Sequence, residues 1–271
     1  MTKKSGADKK RKPIGIFDSG LGGLSIAQAV RNILPNEDVV YLADIEYSPY
    51  GPKSKTTIAE RSERILNFLI EQGCKLIVVA CNTATVNSIS QLRAACTIPI
   101  VGVEPGVKPA ALHSESGVIG VLATEQTLKS DSFQRLKASY GNEVRIEERA
   151  CPDFVTIVES LEHEEQTAAI AAERYIRPLL DEGCDKIILG CTHFSFLTPA
   201  IKQVVEGKAD VIDTADAVAK EVQRRLSCHE LCSDNNTGGN TTFWTTGDIT
   251  HTSKSISKLW RQEVSVFQAT P

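Results

Sequence analysis

The chain repeats itself. The segment Glu71-Gln-Gly-Cys-Lys-Leu-Ile-Val-Val-Ala-Cys81-Asn-Thr aligns without a gap on Asp181-Glu-Gly-Cys-Asp-Lys-Ile-Ile-Leu-Gly-Cys191-Thr-His, 110 positions further on (81 to 191). Earlier in each half, Ile14-Gly-Ile-Phe-Asp18-Ser19 resembles Ile119-Gly-Val-Leu-Ala123-Thr124, 105 positions on (14 to 119). A period near half the chain points to two similar units rather than one continuous architecture. In each copy an apolar run stops at a cysteine followed by cap-forming side chains. Each unit therefore carries one cysteine at the carboxyl end of a strand, the edge at which open α/β sheets bind ligands. With the two units facing each other, Cys81 and Cys191 face each other across a cleft.

The rest of the pattern agrees. Short β-branched runs are predicted as strands at Ile14–Phe17, Val39–Leu42, Leu76–Ala80, Ile98–Val103, Val118–Leu122, Val144–Glu147, Ile187–Gly190, Val211–Ile212 and Thr242–Thr245. Several lack polar alternation, as strands buried on both faces do. Amphipathic stretches at Thr57–Gln72, Gln126–Ser139 and Thr167–Asp181 lie between them. This rhythm predicts an α/β fold of two pseudo-symmetric lobes, each a mainly parallel sheet flanked by helices, with the site in the cleft between them. The expected division is a disordered basic leader at 1–12, a first lobe at 13–105 plus 215–271, and a second lobe at 106–214.

Charge and composition narrow the function. The net charge of -4 and an aromatic content of 6% give neither a basic field nor a stacking surface for nucleic acid. No apolar run reaches the roughly 18 residues that span a bilayer, and the polar leader has no apolar core of a signal peptide. The expected location is the cytoplasm, where the eight cysteines are thiols. Cys74 and Cys184, at matching positions before strands, read as packing residues, and Cys96 and Cys151 have no recognisable partner. Cys228-His229-x-x-Cys232 lacks a second pair at ligand spacing, so no metal site is expected.

Chemistry collects around the repeat. A cysteine at a helix N-terminus feels the positive end of the peptide dipoles, which lowers its pKa. Asn82, Thr83 and Thr192 can bond a ligand or cap a helix. His193 can set the protonation state of Cys191. In Phe17-Asp18-Ser19-Gly-Leu-Gly-Gly the glycines let backbone N–H groups approach a ligand, yet neither a P-loop nor a full dinucleotide fingerprint is present. Asp18 can hold an amino group, with Ser19 beside it, or simply cap the following helix. In the turn around Pro49-Tyr50-Gly51-Pro52, Tyr50 offers a hydroxyl and Gly51 an N–H.

Five segments in this order, Asp18-Ser-Gly-x-Gly-Gly, Pro49-Tyr-Gly, Ala80-Cys-Asn-Thr-Ala, Gly102-Val-Glu-Pro-Gly and Gly190-Cys-Thr-His-Phe, resemble the glutamate racemases of the aspartate/glutamate racemase superfamily over roughly Ile14 to Asp248. The resemblance implies interconversion of L- and D-glutamate without pyridoxal phosphate or metal, supplying D-glutamate for peptidoglycan. It implies Cys81 and Cys191 as an acid/base pair, Cys81 taking the proton from D-glutamate and Cys191 from L-glutamate. Asp18 and His193 would assist proton transfer, and Glu159 would support the thiol beside the histidine. Asp18, Ser19, Tyr50, Gly51, Asn82, Thr83, Thr192 and His193 would bind substrate. A homodimer and regulation by a cell-wall precursor belong to the same expectation. Ser195 and Thr156 stand where a proline is common, and Ile45-Glu46-Tyr47 is an unusual filling before Ser48-Pro49.

Two thiols suit the chemistry. Racemisation removes a weakly acidic Cα proton and returns it on the opposite face, so one group must start as thiolate and the other as thiol. General acid/base catalysis contributes roughly 10²–10⁴-fold. The remainder must come from positioning and from donors that hold the carboxylate as charge develops. The rival readings are a racemase for aspartate or a hydantoin, a dithiol redox protein, and a two-lobed binding module. The absence of Cys-x-x-Cys disfavours the second, and the matched thiols disfavour the third.

Overall fold

The computed structural model describes residues 9–161 and 165–271. Ten strands are described: β1 (Ile14–Asp18), β2 (Val39–Ala43), β3 (Leu76–Val79), β4 (Ile100–Gly102), β5 (Val118–Ala123), β6 (Arg145–Ala150), β7 (Lys186–Leu189), β8 (Asp210–Ile212), β9 (Thr241–Thr245) and β10 (Val266–Gln268). They form a six-stranded sheet in the order β10-β9-β2-β1-β3-β4 and a four-stranded sheet in the order β6-β5-β7-β8. Every pairing is parallel, as expected when helices connect successive strands and cover both faces.

The repeat is visible in the register. Ile14 pairs with Leu76 and Gly15 with Ile77 between β1 and β3, while Ile119 pairs with Lys186 and Gly120 with Ile187 between β5 and β7. The order β2-β1-β3-β4 in one sheet is thus matched by β6-β5-β7-β8 in the other, in the same phase. Cys74 and Cys184, buried before β3 and β7, pack over the two equivalent glycines: a Cβ on Gly15 would lie 2.9 Å from the Cys74 Sγ, and one on Gly120 3.5 Å from the Cys184 Sγ.

β1, β2 and β3 are buried along their whole length, which explains their unbroken apolar runs. β6 is an edge strand reading Arg-Ile-Glu-Glu-Arg-Ala, with only Ile146 buried. Its charged residues hid half its length from a hydrophobicity reading that stopped at Glu147, and they protect the open edge. The expected helix at Gln126–Ser139 is two helices, Glu125–Lys129 and Asp131–Tyr140, because the Ser130 hydroxyl accepts from the Phe133 N–H and starts the second. Of the leader expected to be disordered, residues 1–8 lie outside the described residues. Lys9–Lys12 instead turn against the first sheet, where the Lys10 carbonyl accepts from the Lys75 ammonium at 2.5 Å and Lys75 pairs with Glu37 in a buried contact.

The helices Leu24–Ile33 and Ala215–Cys228 pack together. Phe194, in the loop after β7, meets Phe154 edge-to-face at 5.1 Å between ring centroids, and Phe154 meets Tyr175 at 5.2 Å. Helix Pro152–Glu159 is held by this aromatic trio against the loop that carries Cys191. Among the described residues, no helix is long and apolar enough to cross a membrane.

Candidate active site

The carboxyl ends of both sheets converge on one cavity of about 280 Å³. Ser19 follows β1, Cys81 follows β3, Thr124 follows β5, and Cys191 and His193 follow β7; all of them line it. Pro49, Tyr50, Gly51 and Pro52 form another wall, and Thr83, Glu125, Ala150, Pro152, Val155 and Thr156 complete it. Cys81 and Cys191 are 6% and 7% exposed, so both thiols sit at the cavity surface rather than in free solvent. A wider hollow of about 760 Å³ borders Ser195 and Phe196, with no cysteine among its described lining residues; the two thiols open on the smaller cavity.

The two thiols have unlike surroundings. Cys81 precedes helix Asn82–Ala95, its Sγ accepts from the Ala84 N–H at 3.4 Å, and its thiol donates to Ser19 Oγ at 3.6 Å. The helix start was expected to lower its pKa. Burial instead pushes the Cys81 thiol up, Asp18 pushes in the same direction, and the Ala84 N–H and Ser19 hydroxyl offset only part of this. Cys191 Sγ lies 3.7 Å from His193 Nδ1. The other ring nitrogen, Nε2, is 2.6 Å from Glu159 Oε1, which also accepts the Leu21 N–H at 2.7 Å. Burial opposes a charged imidazole, but the contacts to Cys191 and Glu159 outweigh it and hold His193 well above its ordinary pKa. Burial likewise opposes ionised Glu159, and the His193 contact and Leu21 N–H reverse the sign, leaving its carboxyl below the usual range.

The glycine-rich segment after β1 serves a close approach. A Cβ on Gly22 would stand 2.3 Å from His193 Nδ1 and 2.7 Å from the His193 backbone nitrogen. The loop is filled by His193 and Glu159 from the opposite lobe, and the Leu21 N–H is already taken by Glu159. Asp18 is fully buried. Its Oδ2 accepts from the Gly20 N–H at 3.1 Å, and its Oδ1 from the Thr192 hydroxyl at 3.4 Å, so it joins the loops after β1 and β7, and the backbone N–H of Gly23, the N-cap of the next helix, also favours its charge. Burial raises the Asp18 pKa, partly countered by the charge on His193.

The remaining expected positions divide. Thr83 Oγ1 lies 2.8 Å from Thr124 Oγ1 and 3.2 Å from Thr127 Oγ1, a hydroxyl triangle joining the two lobes beside the cavity. Asn82 is buried, and among the described residues neither its Oδ1 nor its Nδ2 has a hydrogen-bond partner. Leaving such groups unmade costs about 1–3 kcal/mol each, so the amide calls for a polar ligand. Tyr50 contributes its ring, but its hydroxyl is turned away and donates to Asp44 Oδ2 at 2.6 Å. Asp18, Asn82, Thr192 and Glu159 stand behind the lining residues. Sequence reasoning missed Thr124, although the repeat set it opposite Ser19. It missed Glu125, Ala150, Pro152 and Val155, which carry no motif. It treated Thr156 only as a departure from a common proline, yet Thr156 lines the cavity. Among the described residues no three His, Cys, Asp or Glu side chains gather as a metal cluster would.

Two parallel α/β lobes with a thiol at the same strand end in each, both opening on one cavity, make a two-lobed α/β protein with a thiol-lined cleft. The profile of the Asp/Glu/hydantoin racemase family matches residues 24–222. A glutamate racemase of Herpetosiphon aurantiacus is 44% identical over 90% of this chain and 96% of its own, and one of Ectopseudomonas mendocina is 42% identical over 96% and 98%. Among solved structures, glutamate racemase isoform RacE1 of Bacillus anthracis superposes with a TM-score of 0.88 at 30% identity, covering 96% of this chain and 98% of that one. The Escherichia coli glutamate racemase, in complex with L-glutamate and the activator UDP-MurNAc-Ala, superposes with a TM-score of 0.83 at 33% identity, covering 95% and 97%. The chain belongs to the Asp/Glu/hydantoin racemase family, a family of isomerases.

Proposed function

We propose that this protein interconverts L- and D-glutamate without a cofactor, using Cys81 and Cys191 as the two bases, and that the D-glutamate feeds peptidoglycan synthesis. The observation that carries the reading is the pair of thiols at equivalent strand ends, both in the wall of one cavity. The glutamate racemases at 42–44% identity support glutamate as the substrate. Cys191 removes the proton from L-glutamate while Cys81 returns one on the other face; the roles exchange for D-glutamate.

His193, held charged by its contacts to Cys191 and Glu159, serves the side of Cys191, and Asp18 and Ser19 serve the side of Cys81. Thr83 and the Gly51 N–H bind the substrate from the cavity wall, the Tyr50 ring forms part of that wall, and the unpaired Asn82 amide and Thr192 bind it from just behind the lining. Thr124 adds a hydroxyl from the second lobe. Within this reading the lobes divide at 13–105 plus 215–271 and 106–214, the protein acts in the cytoplasm as a homodimer, and a cell-wall precursor regulates it, as the activator bound to the E. coli relative suggests.

The test is incubation of each enantiomer in D₂O, following deuterium at Cα together with optical rotation. Both should change with wild-type protein, with or without chelator or added pyridoxal phosphate. Cys81→Ser and Cys191→Ser should each lower racemisation by at least the roughly 10²-fold of a lost acid/base group. Full activity in either variant would sink the two-base model, and no exchange in the wild type would remove the racemase reading itself.

A further inference from the structure

A buried charged cluster lies directly behind the Tyr50 wall, and no step of the proposed reaction uses it. Asp44 is fully buried just after β2. Its carboxylate accepts Arg61 Nη2 at 2.7 Å and Nε at 2.9 and 3.1 Å, the Tyr50 hydroxyl at 2.6 Å, and the Thr246 hydroxyl at 2.9 Å. Arg61 stacks over the Tyr47 ring, 4.1 Å from its centroid, and donates to the Pro271 carbonyl at 3.2 Å. The Asp44 N–H donates to the Asp18 carbonyl at 3.0 Å, which ties the cluster to β1.

This arrangement closes a loop. The chain leaves Asp44, forms the turn with Pro49, Tyr50, Gly51 and Pro52 in the cavity wall, and enters helix Lys55–Glu71, capped by Ser54. Arg61 on that helix then reaches back to Asp44. Within the turn, Tyr50 is the side chain that connects the wall to this anchor. A paired carboxylate and planar guanidinium with several fixed donors is a stiff unit, and burial of such a pair is by itself weak evidence of net stability.

We propose that Asp44 and Arg61 are positioning residues for the substrate: through the Tyr50 hydroxyl they fix the Pro49–Pro52 turn, so that the ring and the Gly51 N–H stay at the distance that a glutamate in the cavity requires. The inference rests on the racemase reading for its substrate, but not for its geometry. Neither side chain touches the substrate, and the pair transfers no proton to it.

Two measurements test it. Tyr50→Phe removes one hydroxyl and keeps the Asp44–Arg61 pair, so the fold is retained. It should raise KM for both enantiomers roughly tenfold, the equivalent of ~1.4 kcal/mol, while kcat changes less than about threefold. Arg61→Lys keeps the charge but loses the fork, and should fall on the same side with a smaller rise in KM than Arg61→Met. Hydrogen exchange read by mass spectrometry, which needs no substrate, should show faster exchange confined to residues 48–54 in Tyr50→Phe, with helix Asn82–Ala95 unchanged. Unchanged exchange in that turn overturns the proposal whatever the enzyme's substrate. A fall in kcat at constant KM also overturns it, since the hydroxyl would then act in the chemistry. Absence of glutamate turnover by the wild type removes the substrate assignment, leaving the exchange result to decide the positioning claim.

Discussion

Replacing Glu159 by Gln removes a charge and little else. Glutamine can still accept the Leu21 N–H and face His193 Nε2, now 2.6 Å from the carboxylate. The side chains are 3% exposed for His193 and 22% for Glu159, so water screens the contact poorly. A hydrogen bond to a charged group contributes about 1.5–3 kcal/mol, and 1.36 kcal/mol corresponds to one pKa unit. The His193 pKa should therefore fall in Glu159→Gln, because one of the contacts that raise it loses its charge. The alkaline limb of kcat/KM for L-glutamate should move to lower pH with it, and the imidazole resonance of His193 should show the same shift in an NMR titration.

Stability should change with a defined sign. The Glu159 pKa is lowered from 4.5, so its contribution is present above that value and lost as pH falls through the lowered one. The His193 pKa is raised from 6.5, so its contribution is complete below that value and lost as pH rises through the raised one. The pair is fully effective between about pH 4.5 and 6.5, and there Glu159→Gln should cost ~1.5–3 kcal/mol in urea denaturation. The cost should shrink at alkaline pH. A difference between variant and wild type that stays flat from acid to alkaline pH, or a slower enzyme with an unmoved alkaline limb, would refute the account of how His193 is held charged.

Gly22→Ala drives a Cβ to within 2.3 Å of the His193 ring and 2.7 Å of its backbone. Glu159 holds the far side of the ring, so the loop must shift; the urea midpoint should drop by the equivalent of ~1–3 kcal/mol, and Cα exchange should fall with it. Wild-type values for both would show that the loop yields freely. Thr124→Val removes the hydroxyl that meets Thr83 at 2.8 Å and accepts the Thr127 N–H at 3.3 Å. The lost cap should cost ~1 kcal/mol, and KM for glutamate should rise several-fold in steady-state kinetics. An unchanged KM would remove Thr124 from the binding set.

What could be read in the sequence was whatever repeated or alternated. The offset of 110 between Cys81 and Cys191 identified the equivalent strand ends, because buried parallel strands write their burial as unbroken apolar runs. β10 was missed since Val266–Gln268 is three residues long at a sheet edge, with only Val266 buried. Asp44 and Arg61 were invisible for a different reason: 17 residues separate them, and no spacing rule links a strand end to the middle of the following helix. The orientation of Tyr50 belongs to the same class. Its position was legible, but the direction of its hydroxyl depended on a carboxylate buried behind it. The pKa of Cys81 was misjudged because a helix start is written in the sequence, whereas the desolvation that outweighs it is a property of the assembled cleft.

The unequal dressing of the two thiols meets a constraint from outside the protein. L- and D-glutamate are mirror images and have the same free energy in water, so their equilibrium constant is unity whatever catalyses the exchange. For the proposed reaction, kcat/KM must then be equal in the two directions. The His193–Glu159 pair beside Cys191 and the Ser19 hydroxyl beside Cys81 cannot make the enzyme prefer one product. They can only redistribute the same total between how tightly each enantiomer is held and how fast it turns over. The ratio of kcat between the two directions must be matched by the same ratio of KM, and the asymmetry of the cleft is free to set which hand of glutamate occupies the resting enzyme.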